Sequence, residues 1–220
     1  FEGMARQAGI TRIQNIESAF EVAATFATQP LPSGPRVLVL TTAGGWGVVT
    51  ADAISQSSDL VLAPLPSDLK QSIDELVPPR WSKNNPIDLA GGETRDTIPE
   101  LLSVASSHPE IDSIIQLGLG IQGNTANLIR SGNFYPDHGL ERIVDFHERQ
   151  EKRYAEASVE VSLTSGKPVL VASELAIAQP NNPMVLNIRE SKRLCYPSAD
   201  RAVSSLNHMV RYSNWRNGNN

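Results

Sequence analysis

Arg36-Val37-Leu38-Val39-Leu40, followed by Thr41-Thr42-Ala43-Gly44-Gly45-Trp46-Gly47-Val48, decides the fold. The first five residues form a short, unbroken apolar run, the pattern of a central parallel strand buried on both faces. The glycines end that run, and Val48 to Gln56 reads as a helix. Strand, tight turn and helix in this order define the start of a βαβ unit.

Working outward, the rhythm repeats. Asp59-Leu60-Val61-Leu62, Ile111 to Leu117, Lys167 to Ala172 and Leu194-Cys195-Tyr196 read as further strands. Between them, Ser67 to Leu76 (with Ser67 as cap), Thr94 or Asp96 to Ser107, Asp137 to Val161 and Asn182 to Lys192 read as helices. Ser198 caps a last helix ending near Tyr212. Pro78 to Gly92 and residues 118–136 are expected to be irregular. The fold class is therefore α/β, an open doubly wound sheet of about five parallel strands with helices on both faces. Ligands of such sheets sit at the carboxyl ends of the strands, at the switch in strand order, which directs attention to the loops after residues 40, 117 and 172.

Residues 1–34 are expected to form a lead-in. Asn15 caps an amphipathic helix from Ile16, and Gln29-Pro30-Leu31-Pro32-Ser33-Gly34 is a stiff connector. The main domain spans 35–216, with a helical insert at about 122–165, and 217–220 form a tail. The chain opens on Phe1 in helix-like sequence, which suggests a fragment of a longer polypeptide.

Composition limits the function. The net charge is −5, against the basic surface that nucleic acid or an anionic membrane requires as main partner. No apolar run approaches the ~20 residues of a membrane span. The single cysteine, Cys195, fits a reducing cytoplasm and a buried structural thiol. His108, His138, His147 and His208 share no metal-ligand spacing with each other or with Cys195, so no metal site is expected. Glu148, Arg149, Glu151, Lys152, Arg153 and Glu156 read as a solvated helix face laced with i,i+4 pairs.

Three stretches are candidates for chemistry. Thr42, Gly44, Gly45, Trp46, Gly47 and Val48 follow a strand and open a helix, where free amides and the helix dipole suit a phosphate; a plain tight turn is the competing reading. The segment lacks the Gly-x-Gly-x-x-Gly and Gly-Lys-Ser/Thr patterns, so neither NAD nor ATP is expected on it. Asn85, Asp88, Gly91 and Gly92 form a turn-rich loop. Gly120, Ile121 and Gln122 follow the third strand at the switch face.

Taken together these landmarks resemble the NDP-forming acyl-CoA synthetases, the superfamily that includes succinyl-CoA synthetase. The resemblance rests on Gln7-Ala8-Gly9-Ile10, Gln29 to Val37, Thr42 to Val48 with Ala51-Asp52-Ala53, and Pro78-Pro79. Asn85-Pro86-Ile87-Asp88, Gly166 to Val169 and Ala199 to Val203 extend it. It implies the flavodoxin-like ligase-CoA domain that follows the phosphohistidine domain. Such enzymes join an acid to CoA using ATP or GTP through acyl phosphate and phosphohistidine intermediates. The histidine motif, resembling Ser-His-Thr-Gly, is absent from this chain, so no catalytic residue is expected here. By resemblance the Gly-rich turn holds a phosphohistidine supplied by a neighbouring domain, and the other two loops line the acyl site. CoA, nucleotide and Mg would bind other domains, including an ATP-grasp domain, with homo-oligomerisation left open. Two alternatives share the landmarks: a regulatory domain of a protein acetyltransferase, and a non-catalytic interaction domain. Trp46 stands where the family often has Pro, and residues 122–165 are longer than usual.

Overall fold

The chain, seen as a computed structural model, is described from residue 1 to residue 218; Asn219 and Asn220 of the expected tail lie outside the described residues. β1 (Arg36–Thr41) is the centre of a parallel sheet. It is flanked by β2 (Val61–Leu62) and β4 (Ser113–Leu117), and β5 (Val169–Ala172) and β6 (Cys195–Tyr196) continue beyond β4. The order β2-β1-β4-β5-β6 is the flavodoxin-like order, with the switch between β1 and β4.

A sixth strand was not legible. β3 (Ile87–Asp88) lies within the stretch expected to be irregular and pairs with the end of β1 at Leu40 and Thr41. β2 pairs with the start of β1 at Arg36 and Val37, so both short strands share one edge. Asn85 fills the gap between them. Its Oδ1 accepts from Val39 N, and its Nδ2 donates to Val37 O and Ala63 O, all at 2.9 Å. One side chain thus completes a ladder that two-residue strands leave open.

Alternation along β1 divides the core. Leu38 and Leu40 pack with α4 (Ser67–Leu76), α5 (Thr97–Ser107), α7 (Leu140–Ser165) and α9 (Pro183–Glu190). Val37 and Val39 pack with α3 (Gly44–Ser55) and α10 (Ala199–Arg216). Each of these fully buried aliphatic side chains contributes about 1.5–3 kcal/mol. The result is the expected arrangement of helices on both faces.

The helical caps divide. Asn15 caps α2 (Ile16–Thr28), Asn182 caps α9 and Ser198 caps α10 through side-chain acceptors. Ser67 does not cap α4: it is the first helical residue, and Pro66 precedes it without a side-chain bond. α10 runs one turn past Tyr212, to Arg216.

The lead-in is joined to the core. The Thr25 hydroxyl meets the Tyr196 hydroxyl at 2.5 Å, and Glu21 pairs with Arg201. Buried Gln29 donates to Val169 O and accepts from Arg193, Ser162 and Val169 N. In the expected insert, the second half of α7 is the crossover helix from β4 to β5 and buries Tyr154, Ala155, Ser158, Val161 and Ser162.

Candidate functional site

The Gly-rich segment does not break the chain between strand and helix. It is the first turn of α3, which begins at Gly44, four residues before the expected start. Ala43 sits at the N-cap position with no side-chain cap bond, and the first turn carries no acidic residue. Thr41 Oγ1 accepts from Ala43 N at 2.9 Å. Ala43 O then accepts from Trp46 N and Gly47 N. Among the described residues, no hydrogen bond engages the amides of Gly44 and Gly45. These two are the open donors of the turn. Gly45 and Trp46 are exposed and Gly44 is half-buried, so the junction opens to solvent.

The junction is braced from both sides. Across the switch point, Thr42 Oγ1 donates to Gly118 O at 2.9 Å. Gly118 has φ +77°, and a Cβ there would lie 2.3 Å from Thr42 Oγ1. On the other side, a Cβ on Gly44 would lie 2.3 Å from Asp88 Oδ2. Asp88 Oδ1 accepts from Ala90 N at 2.9 Å. So two of the three candidate stretches, around Gly44 and Asp88, are in contact, and the third reaches the site through Gly118.

The third stretch was expected to be irregular and is helical. α6 (Ile121–Arg130) starts there, with Gly120 at its N-cap in the left-handed region. Two of the amides at its start are already taken. Glu151, from α7, accepts from Gly120 N at 2.7 Å with one carboxylate oxygen and from Gly123 N at 3.0 Å with the other. Burial pushes the Glu151 pKa up, against the pull of the Gly120, Gly123 and Gln122 amides. The Gln122 side chain meets His147 Nδ1 at 2.5 Å.

Glu151 therefore corrects the expected solvated charge run: it is 1% exposed. Among its neighbours, Arg149 with Asp145 and Lys152 with Glu156 make the expected i,i+4 pairs, whereas half-buried Glu148 and Arg153 reach instead to Arg130 of α6 and to Asp96 before α5. Glu151 went unseen because charged residues flank it on both sides. The available signal was its place on the buried stripe Val144, Glu151, Tyr154, Ala155 and Ser158.

Other expected site residues are less free. All three Asn85 bonds go to backbone of β1 and Ala63. Gly91 O accepts from Arg80, and Gly92 N closes a turn onto Leu89 O. A void of about 10 Å³, room for about one water, adjoins Thr42, Gly118, Gln122, Glu151, Tyr154 and Glu93. Glu93 was not foreseen; its Oε2 is buried and unpartnered among the described residues.

A cavity of about 560 Å³ lies between residues 2–18 and α10. Two of its arginines are engaged, Arg211 with Asp59 and Arg12 with Glu2. Cys195 is buried and its thiol is pushed up to about 12 by burial, which keeps it protonated and unreactive. Among the described residues, no group of three or more His, Cys, Asp or Glu side chains is placed to hold a metal, and no helix is long and apolar enough to cross a membrane.

Fold and site together define a flavodoxin-like α/β domain with an open helix N-terminus at its switch point. Residues 37–123 match the ligase-CoA domain family. The chain is 27% identical to the ADP-forming 4-hydroxybutyrate–CoA ligase of Nitrosopumilus maritimus, over 98% of this chain and 27% of that protein. It is 26% identical to the alpha subunit of ADP-forming acetate–CoA ligase I of Pyrococcus furiosus, over 96% of this chain and 40% of that one. Among solved structures it resembles apo dinucleotide-forming acetyl-coenzyme A synthetase 1 of Ca. Korarchaeum cryptofilum, with a TM-score of 0.72 at 24% identity over 98% of this chain and 42% of that one. Residues 37–123 thus resemble a ligase-CoA domain, and the two relatives matched along nearly the whole chain are ADP-forming CoA ligases. It spans 27% and 40% of the length of the two relatives named.

Proposed function

We propose that this chain is the part of an NDP-forming acyl-CoA synthetase that holds a phosphohistidine delivered by a neighbouring domain. The observation that carries the reading is the pair of open amides at Gly44 and Gly45, at the switch point of the sheet. A phosphorylated imidazole needs oriented donors rather than a base, and preorganised amides at a helix N-terminus supply them without reorganisation. The relatives support the reading, since both are ADP-forming CoA ligases of which this chain matches a part.

In this reading Thr42 and Gly118 fix the turn, Gly44 and Gly45 donate, and Trp46, Gly47 and Val48 form the rest of the mouth. Asp88, Gly91 and Gly92 on one side, and Gly120, Ile121 and Gln122 on the other, line the acyl side, with Asn85 holding the first of these loops. CoA, ATP or GTP and Mg bind other domains, an ATP-grasp domain among them, and the enzyme works in the cytoplasm. The chain alone has no ligase turnover; acyl-CoA synthesis by the purified chain would contradict this.

The test is Gly45→Val in the full-length polypeptide that carries this domain. A Cβ on Gly45 meets nothing within 4 Å, so a side chain can leave the backbone there without a clash at its first atom while crowding the amides. Phosphohistidine formation is expected to fall at least tenfold with CoA affinity unchanged. Equal loss of both, or loss of neither, sinks the reading.

A further inference from the structure

We propose that Glu151 is a positioning residue for the α3 anion site, acting through the Gly118–Gly123 turn on which Thr42 is hung. The proposal rests on the anion reading of Gly44 and Gly45 and names the residue that holds their turn in place. The path is short and made of hydrogen bonds. Both Glu151 oxygens accept backbone amides, Gly120 N at 2.7 Å and Gly123 N at 3.0 Å. Both oxygens serve as acceptors, which an ionised carboxylate supplies in full, while burial opposes the charge. It ties the start of α6 to α7, while Asn182 Nδ2 donates to Gly120 O at 3.1 Å and holds the same residue from α9. Two residues upstream, Gly118 O receives the Thr42 hydroxyl at 2.9 Å. Thr42 lies next to Ala43, whose carbonyl closes the first turn of α3.

The carboxylate has a second consequence. α6 also starts at the carboxyl edge of the sheet, so its bare N-terminus would compete for the same anion. Glu151 occupies two of those amides, Gly120 N and Gly123 N, with a carboxylate that belongs to the protein. Among the described residues, the α9 and α10 N-termini carry side-chain caps and α4 and α5 carry acidic first turns. α3 has neither. Glu151 thus braces the site and leaves α3 as the place for an external anion. A plain core role would need neither both oxygens on the α6 amides nor a carboxylate.

The experiment uses the 220-residue chain and inorganic phosphate, followed by the amide resonances of Gly44 and Gly45. Glu151→Gln places an NH2 group against a backbone N–H and is expected to weaken phosphate binding about five- to tenfold. Glu151→Asp, which keeps the charge, is expected to fall between Gln and wild type. Thr42→Val should weaken binding on its own, and adding Glu151→Gln to it should cost little more, because both act through Gly118. Unchanged phosphate affinity in Glu151→Gln, or effects that multiply in the double variant, overturns the proposal. If wild type itself does not bind phosphate, the anion reading fails. The positioning role is then decided by the Glu151→Gln and Glu151→Asp spectra. Shifts that reach Thr42 to Gly45 uphold it, and shifts confined to Gly118 to Gly123 overturn it.

Discussion

The Thr42 hydroxyl donates to the carbonyl of Gly118 across the point where the strand order reverses, linking the loops that follow β1 and β4. Gly118 holds a positive φ there, and its missing side chain is what admits the hydroxyl. Gly118→Ala is therefore expected to be costly twice, through a left-handed backbone and through a Cβ 2.3 Å from Thr42 Oγ1. We expect a loss of about 2 kcal/mol in urea unfolding, together with weaker phosphate binding. Stability within 0.5 kcal/mol of wild type would contradict the close approach.

The two glycines that begin α3 should respond in opposite directions. A Cβ on Gly44 would meet Asp88 Oδ2, whereas one on Gly45 meets nothing. Gly45→Ala is expected to stabilise the chain by up to about 1 kcal/mol, as alanine does at an unhindered helical position. Gly44→Ala is expected to destabilise it by about 1–2 kcal/mol. Thermal unfolding of the two variants side by side checks this, and equal shifts would contradict it.

Asp88 places a carboxylate against the turn proposed to hold an anion. Like charges at this range oppose each other. Asp88→Asn keeps the oxygen that accepts from Ala90 N and removes the charge. It is expected to tighten phosphate binding about threefold to tenfold at low salt, with the gain shrinking as ionic strength rises. Weaker binding in this variant would show that Asp88 helps the anion rather than opposing it.

Asp112 sets the acid limit of the fold. Its carboxylate lies almost fully buried against Arg36, at 2.7 Å from Nε, and also accepts from Arg36 N and the Ser33 hydroxyl. Burial works against the charge, but the Arg36 bonds prevail and hold the pKa below its ordinary 3.8. A depressed carboxylate stabilises the fold above the unfolded pKa, and that stability is lost as pH falls through the lower folded value. Asp112→Asn is expected to cost about 2–3 kcal/mol at pH 7. The gap between wild type and variant should narrow only below about pH 4. A gap that stays constant down to pH 2 would contradict the assignment.

The sequence shows where its physics is local and hides where it is not. The run Val37 to Leu40 and the glycines after it announce a buried strand and a turn, and the site follows from their position. β3 is two residues long beside Pro86, too short to display a period, and it exists because Asn85 bridges the gap beside it. The start of α6 carries Gly118, Gly120 and Gly123 and reads as a loop. It is helical because Glu151, 28 residues beyond Gly123, caps it. Partners so far apart leave no local trace.

The most direct measurement of the central claim is a titration of the 15N-labelled chain with inorganic phosphate, read at every backbone amide. Saturable shifts are expected, largest at Gly44 and Gly45 and small at Gly120 and Gly123, whose amides Glu151 already occupies. Shifts centred on Arg6, Arg12 and Arg211 in the large cavity, or none at any amide of α3 at saturating phosphate, would contradict it.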